Sequence, residues 1–132
     1  MIKHPKYIGS GYSFDIGLLK LNKNIKFNDF VKAIKLPPQG HLLYENCTAI
    51  ATGWGKLSDS NPKSKKLQFV PLKVTNIKEC DTFYRKTFGL EILCTSTKGK
   101  KSTCSGDSGG PLVYYNQVLI GISAFVPTFI FN

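Results

Sequence analysis

The chain has 132 residues and a formal net charge of +10, with 18 lysine and arginine residues against 8 acidic ones. This length suits one domain, and no run of about 18 or more apolar residues is present, which argues against a transmembrane helix. The lysines are scattered and accompany no helix-turn-helix, zinc-finger or RNA-recognition signature, so we interpret them as a solvated surface and expect neither nucleic acid nor a membrane as a partner.

The first third of the sequence alternates apolar segments with polar turns. An apolar run extends from Ile16 to Leu21, and the segment from Val31 to Leu36 alternates as a strand that stops at Pro37. A Pro/Gly-containing segment, 37–46, follows and is typical of a linker. No charged and then apolar signal peptide is found at the start of the sequence.

The second half predicts more strands and one helix. Alternating segments at 66–74 and 112–122 predict strands separated by turns. Asn76 followed by Glu79 has the form of a helix cap, so a short helix is predicted from Asn76 to Tyr84. With no internal repeat at a solenoid period, this pattern favours an all-β fold.

The segment Cys104-Ser-Gly-Asp-Ser-Gly-Gly-Pro111 places the hydroxyl of Ser108 among glycines. A serine hydroxyl is a weak nucleophile, so it needs a base to take its proton and donors to hold the oxyanion that follows attack. The glycines at 106, 109 and 110 allow positive φ and close backbone approach, which can aim the N–H groups of Gly106 and Ser108 at one point. The segment therefore predicts a nucleophile beside an oxyanion hole.

This segment, read as CSGDSGGPLV, resembles the nucleophile segment of the chymotrypsin-like (trypsin-fold) serine proteases. The segment Asp15-Ile-Gly-Leu-Leu-Lys-Leu21 resembles the one that carries their catalytic aspartate, and Gly53-Trp54-Gly55 resembles their GWG landmark. Residues 93–104 resemble the digestive chymotrypsin-like and brachyurin-like proteases of arthropods. The resemblance implies an antiparallel Greek-key double β-barrel that is incomplete here, with the end of the first barrel, most of the second and one short helix.

The same resemblance implies the organisation of the chain. Residues 1–36 correspond to late strands of the first barrel, 37–46 to the linker between the barrels, and 47–126 to most of the second barrel. Residues 127–132 match nothing in the family.

The function implied is that of a serine endopeptidase acting on protein or peptide substrates, with protease inhibitors as further candidate partners. Ser108 attacks the peptide bond and forms the acyl-enzyme, Asp15 orients a histidine, and the N–H groups of Gly106 and Ser108 form the oxyanion hole. No cofactor is expected, and no CxxC or HExxH pattern suggests a metal site.

Two parts of the family's machinery lack a counterpart in this sequence. The family's base is a histidine in a TAAHC-like motif, whereas His4 and His41 lie in other contexts and are expected to be solvated loop residues. Asp107 corresponds to the aspartate that pairs with the amino terminus created by zymogen cleavage; here it would need another cation or remain solvated. We therefore expect the chain as given to be inactive, and the alternative is a non-catalytic protease homologue that binds or regulates partners.

The specificity pocket can be predicted from four positions. By resemblance, Ser102 occupies the pocket base, where a carboxylate would favour Lys or Arg, so apolar or aromatic substrate residues are expected. Phe125 belongs to the pocket wall. Ala124 stands where a serine is expected, and Val126 stands where a glycine is usual, which narrows the site. A chymotrypsin- or elastase-like preference follows.

The four cysteines and one asparagine provide information on the cellular compartment of the protein. By resemblance, Cys80 pairs with Cys94, while Cys104 matches a cysteine whose partner lies beyond this sequence, and the partner of Cys47 would fall at Tyr114. Cys47 and Cys104 could pair with each other, remain free or mediate aggregation. Asn46-Cys47-Thr48 forms an N-glycosylation sequon, and the family together with its disulfides implies secretion.

Overall fold

The computed structural model describes residues 1–9, 12–38, 44–84, 88–89 and 91–126. Its main element is a five-stranded antiparallel sheet with the order β5-β4-β3-β6-β7, next to a separate two-stranded pair, β1-β2. In chain order the elements are β1 (Ile2–Lys3), β2 (Gly17–Leu18), β3 (Thr48–Gly53), β4 (Gln68–Thr75), α1 (Ile77–Tyr84), β5 (Cys94–Thr95), β6 (Pro111–Tyr114) and β7 (Val118–Ile122).

Two hairpins build most of the large sheet. Strands β3 and β4 pair along their length, from Thr48 opposite Lys73 to Gly53 opposite Gln68. Strands β6 and β7 pair through a three-residue loop, in which Tyr115 and Asn116 have φ angles of 48° and 56°. Both lie in the left-handed region that tight hairpin turns require. The strands predicted at 66–74 and 112–122 are thus confirmed, the second as a hairpin.

The core lies on one face of this sheet because the buried side chains alternate along the strands. Ala49 and Ala51 of β3 and Leu72 and Val74 of β4 are buried, whereas the residues between them in each strand, Ile50 and Lys73, are half-buried and exposed, respectively. Tyr44 and Leu112 complete the buried cluster. The sheet curls around this cluster as a half-barrel, which agrees with the predicted incomplete double β-barrel.

The described residues in the ranges 1–9 and 12–38 form much less regular structure than the apolar pattern of this segment predicts. The run from Ile16 to Leu21 contributes only the two residues of β2, and the strand predicted over Val31–Leu36 is wrong apart from one parallel bridge between Lys35 and Val118. Strands need a neighbour for their N–H and C=O groups, and the described residues supply almost none here. Apolar side chains of this segment consequently remain at the surface, as Phe30 does at 97% exposure.

The predicted helix is confirmed, with α1 beginning one residue after its cap. The side-chain Oδ1 of Asn76 accepts a hydrogen bond from the N–H of Lys78 at 2.9 Å, as an N-cap residue does. The predicted disulfide is also present and joins Cys80 of α1 to Cys94 of β5, which holds the helix on the edge of the sheet. Within the described ranges, no helix has the length and apolarity that crossing a bilayer requires.

An aromatic cluster, made of Tyr12, Tyr84, Phe88 and Phe125, joins the N-terminal segment to the second half of the chain. The ring centroids of Tyr12 and Phe125 are 4.1 Å apart, and those of Phe88 and Phe125 are 5.6 Å apart. Tyr84 packs edge-on against both phenylalanines. Such pairs are stabilised beyond their area of burial, so the cluster fixes the loop before Asp15 against the strand end that carries Phe125.

Candidate active site

The backbone of the loop from Cys104 to Pro111 depends on its glycines. Gly106 and Gly109 have φ angles of 105° and 79°, which L side chains rarely adopt. Gly110 serves close approach instead, because a Cβ there would lie 2.7 Å from the carbonyl oxygen of Asp107 and 3.1 Å from that of Thr52. Each of the three glycines therefore has a steric reason to be glycine.

The N–H groups of this loop divide into two sets. The N–H of Asp107 donates to the carbonyl of Cys104 at 2.9 Å, that of Gly109 to the carbonyl of Ser123 at 2.8 Å, and that of Gly110 to the carbonyl of Asp107 at 2.8 Å. Between them, the N–H groups of Gly106 and Ser108 find no acceptor within the described part of the chain. Ser108 itself is exposed. Two free donors thus flank the Asp107 residue at the position predicted for an oxyanion hole.

The carboxylate of Asp107 has partners that the sequence did not reveal. Its Oδ1 accepts from the N–H of Gly55 at 2.8 Å, and its Oδ2 accepts from the N–H of Cys104 at 2.9 Å. The expectation that this carboxylate needs a cation or remains solvated is therefore wrong. Backbone donors satisfy a partly buried carboxylate through charge-assisted hydrogen bonds.

The GWG segment is built around the same carboxylate. A Cβ on Gly53 or Gly55 would overlap the carboxylate of Asp107, so neither position has room for a side chain. Trp54, in contrast, is 56% exposed. The glycines, and not the tryptophan, make the contact that matters here.

A small pocket of about 210 Å³ opens beside Asp107. Its lining includes residues of β3 and β4 and also Lys56, Lys101, Ser102 and Asp107. It has the size of a few apolar side-chain groups.

A larger cavity of about 1010 Å³ is lined by most of the remaining predicted site residues. Asp15, Ser102, Ala124, Phe125 and Val126 all line it. The lining also includes residues of both outer strands of the large sheet, β5 and β7, which explains a volume far above that of one side chain. Asp15 is exposed in it, and Ser102 is half-buried.

The described residues contain one histidine, His4, and its ring is engaged. It stacks on Phe14 with a centroid distance of 4.9 Å, and its Nδ1 accepts a hydrogen bond from the N–H of Lys6 at 3.2 Å. His4 is a loop residue as expected, but its side chain is half-buried and therefore only partly solvated. The other histidine, His41, lies outside the described residues. Among the described residues, no cluster of His, Cys, Asp or Glu could hold a metal ion.

The two remaining cysteines are free thiols in this structure. Cys104 is buried, while Cys47 is half-buried and shares a hydrogen bond with the hydroxyl of Tyr114, the residue that stands at the family's partner position. This hydrogen bond is the main reason that the pKa of Tyr114 is raised to about 12. A tyrosine–thiol contact therefore occupies the place that the family's resemblance assigns to a disulfide.

Asn46, the sequon asparagine, lies in the turn before β3. Its side chain is exposed, and its backbone has a φ of 64°. Its N–H donates to the carbonyl of Val74 at 2.9 Å, so the turn is fixed while the side chain remains accessible.

Comparisons with known proteins agree with this geometry. A family model described as Trypsin matches residues 1–128. A venom protease of Bombus pensylvanicus is 35% identical over 113 residues, covering 83% of this chain and 46% of that protein. Kallikrein 1-related peptidase b1 of Mus musculus is 39% identical over 116 residues, covering 86% of this chain and 43% of that protein.

A solved structure described as neuropsin, a serine protease expressed in the limbic system of mouse brain, superposes with a TM-score of 0.82 at 29% identity. The match covers 94% of this chain and 56% of that one. The chain spans less than half the length of the curated relatives it matches. The narrower resemblance to arthropod digestive proteases stays a prediction. On the family match and these relatives, the chain belongs to the trypsin family of serine proteases.

Proposed function

We propose that the protein containing this chain is a serine-type endopeptidase whose nucleophile is Ser108. The observation that carries the proposal is the division of N–H groups in the loop that holds this residue. The N–H groups of Asp107, Gly109 and Gly110 are all used internally, whereas those of Gly106 and Ser108 meet no acceptor among the described residues and lie beside an exposed hydroxyl. Two fixed, unused donors are what stabilisation of an oxyanion requires.

In the proposed reaction the Ser108 oxygen attacks the carbonyl carbon of the scissile peptide bond as a base removes its proton. The N–H groups of Gly106 and Ser108 hold the oxyanion, and the proton then passes to the leaving amine as the acyl-enzyme forms. Asp15 accepts the imidazole N–H of the base and fixes its orientation. A water molecule then attacks the carbonyl carbon of the ester as the same base removes its proton, and the base returns a proton to the Ser108 oxygen as the carboxylic acid product leaves.

The base is assigned to a histidine outside these 132 residues. His4 is stacked on Phe14 and engaged through Nδ1, and no segment of the sequence has a TAAHC-like context. Since this chain spans less than half the length of its curated relatives, we place the histidine in a preceding part of the complete protein. The chain as given would then have no proteolytic activity of its own.

The preference proposed for the specificity pocket is apolar. Ser102, Ala124, Phe125 and Val126 line one cavity, and none of these four side chains carries a charge. Ser102 offers a neutral pocket base, and the branched side chain of Val126 narrows the entrance. Together they favour an apolar substrate residue of chymotrypsin or elastase type over Lys or Arg.

Asp107 is proposed to link the site to activation. The pocket of about 210 Å³ beside its carboxylate has room for a small apolar side chain followed by an ammonium group, as an amino terminus created by cleavage would supply. Gly55 and Cys104 already hold the carboxylate, so the incoming ammonium would add a third contact.

We also propose that the protein is secreted, on the basis of its family and its disulfide, and that Asn46 then carries a glycan.

The test is to sequence the transcript upstream of the codon for Met1, express the longer protein it encodes, and treat it with a serine-directed fluorophosphonate. We expect a histidine in a TAAHC-like context and stoichiometric labelling at Ser108. The Ser108→Ala variant should remain unlabelled, and the 132-residue chain should label at most slowly because it lacks the base. An encoded protein with that histidine and no labelling at Ser108 would contradict the proposed function.

The second candidate is a non-catalytic homologue that binds partners. The same experiment separates the two functions. A complete transcript that encodes no histidine in that context, and a protein that does not react with the fluorophosphonate, would support the binding module.

A further inference from the structure

Phe14, the residue before the proposed catalytic Asp15, has an unusual backbone conformation. Its φ angle is 58°, which lies in the left-handed region. Glycine enters this region freely and asparagine tolerates it, whereas a bulky aromatic residue adopts it only where its surroundings compensate for the steric cost. Backbone strain of this kind is concentrated at functional sites, and the contacts of Phe14 identify what maintains it here.

The ring of Phe14 is held by two residues near the start of the chain. The ring of His4 stacks on it with a centroid distance of 4.9 Å and an angle of 8° between the ring planes. The ammonium of Lys6 lies 5.4 Å from the centroid of the Phe14 ring, within the range of a cation–π contact. The N–H of Lys6 donates to Nδ1 of His4 at 3.2 Å, so the two groups that contact the ring are also joined to each other. These contacts stabilise Phe14 in its strained conformation.

The backbone on the other side of Asp15 is attached to the same segment. The N–H of Ile16 donates to the carbonyl of Phe14 at 2.8 Å, which makes Asp15 the central residue of a three-residue γ-turn. The carbonyl of Ile16 in turn accepts from the N–H of His4 at 3.1 Å. The pairing of β1 with β2 begins at the next residue, Gly17. His4 therefore contacts the residues on both sides of Asp15, one through its ring and the other through its N–H.

This turn determines where the carboxylate of Asp15 lies, because backbone dihedral angles set the direction of the Cα–Cβ bond. Asp15 lines the cavity of about 1010 Å³, as do Phe14 and His4. Relaxation of Phe14 to a negative φ would rotate the adjoining peptide groups and carry the carboxylate to another position. In an enzyme, a misplacement of about 1 Å can lower the rate about 100-fold.

We propose that Phe14 is a positioning residue, kept in its left-handed conformation by His4 and Lys6, which directs the Asp15 carboxylate toward the histidine base. This inference rests on the proposed function, because it takes Asp15 as the residue that orients that base. It also assigns His4 a role other than that of the base, since His4 acts through its contacts with Phe14 and Ile16.

The experiment measures the labelling of Ser108 by a fluorophosphonate in the complete protein that the transcript encodes. The maximal labelling rate depends on the base and its orientation, whereas the labelled fraction at completion counts the folded sites. Phe14→Ala removes the ring and disfavours a positive φ, while Phe14→Asn removes the ring but tolerates the left-handed conformation. The matched control, Phe30→Ala, removes the same side chain from a position of the same segment that is 97% exposed.

We expect Phe14→Ala to lower the maximal labelling rate by about tenfold to 100-fold, with the final labelled fraction unchanged. Phe14→Asn should recover most of this loss, and Phe30→Ala should stay within about twofold of the unmodified protein, as a surface substitution does. The dependence of the rate on pH supplies a readout that a loss of folded protein would not produce. The negative charge of Asp15 favours the protonated imidazole, so its displacement in Phe14→Ala should move the acid limb of the profile to lower pH.

Three results would overturn the inference: labelling of Phe14→Ala at the unmodified rate, labelling of Phe14→Asn as slow as that of Phe14→Ala, or an acid limb that stays in place. Each of them leaves the labelling of the unmodified protein, and with it the proposed function, intact. Absence of labelling in an unmodified complete protein that contains the TAAHC-like histidine would instead overturn the proposed function together with the inference that rests on it.

Discussion

The attachment of the Asp107 carboxylate to Gly55 can be tested by adding one methyl group. In Gly55→Ala, the new Cβ would come within 2.6 Å of Oδ1 and even nearer to Oδ2, whereas ordinary C···O contacts are about 3.3 Å. Either the carboxylate moves or the backbone of the GWG segment does. The hydrogen bonds from Gly55 and Cys104 are then lost or strained, and bonds to a charged group contribute about 1.5 to 3 kcal/mol each.

We therefore expect Gly55→Ala to lower the free energy of unfolding by about 3 to 6 kcal/mol, measured by urea denaturation followed by circular dichroism. Gly121→Ala is the matched control, because its Cβ would lie an ordinary 3.6 Å from Leu112 and should change stability by less than about 1 kcal/mol. The reasoning would be refuted if Gly55→Ala stayed within about 0.5 kcal/mol of the unmodified chain, the range of a surface substitution.

Two further predictions concern the cap of α1 and the alkaline limit of stability. Asn76→Ala should lower the free energy of unfolding by about 1 kcal/mol through loss of the 2.9 Å cap bond to Lys78, and Asn76→Asp, which keeps an acceptor, should restore it; equal loss in both variants would contradict the cap. The pKa of Tyr84 is raised to about 12 mainly by burial, and that of Tyr114 to about 12 mainly by its hydrogen bond with Cys47. Because folding favours both neutral phenols, their contribution to stability is complete below pH of about 10 and is lost as the pH rises from about 10 to 12. An ultraviolet titration of the folded chain should show both phenolates forming at a higher pH than in a free tyrosine. In Cys47→Ala the phenolate of Tyr114 should form at lower pH, and an unchanged titration curve in this variant would argue against the tyrosine–thiol contact.

The features that the sequence predicted well are those encoded by neighbouring residues. The cap at Asn76, the helix that ends at Tyr84 and the β6-β7 hairpin all depend on residues within a few positions of one another. The glycines at 106, 109 and 110 could be interpreted in the same way, since each answers a local backbone requirement. Such local patterns can be interpreted from the sequence even though the chain spans less than half the length of its relatives.

The features that sequence reasoning missed depend on contacts between distant residues. One of the two partners of the Asp107 carboxylate is the N–H of Gly55, 52 positions away, and a backbone donor leaves no trace in residue type. Tyr12 meets Phe125 across almost the whole chain, and no local pattern distinguishes such a ring from an ordinary exposed tyrosine. The strand expected over Val31–Leu36 failed for a related reason, because a strand is completed by a partner and not by its own alternation.

From the sequence, the position of the Asp107 carboxylate is expected to depend on a neighbouring cation. The structure shows that the carboxylate is held in place by other groups. If the carboxylate needed an ammonium group to hold its place, the loop that ends at Ser108 would lack support in this chain. Two backbone donors and the space left by Gly53 and Gly55 hold the carboxylate instead. With the carboxylate in this position, no acceptor in the described ranges of the chain takes the N–H groups of Gly106 and Ser108. We therefore expect the shape of the loop from Cys104 to Pro111 to depend first on the glycines of the GWG segment and only secondarily on a cation. Gly55→Ala should accordingly impair peptide binding even when an amino terminus created by cleavage is present.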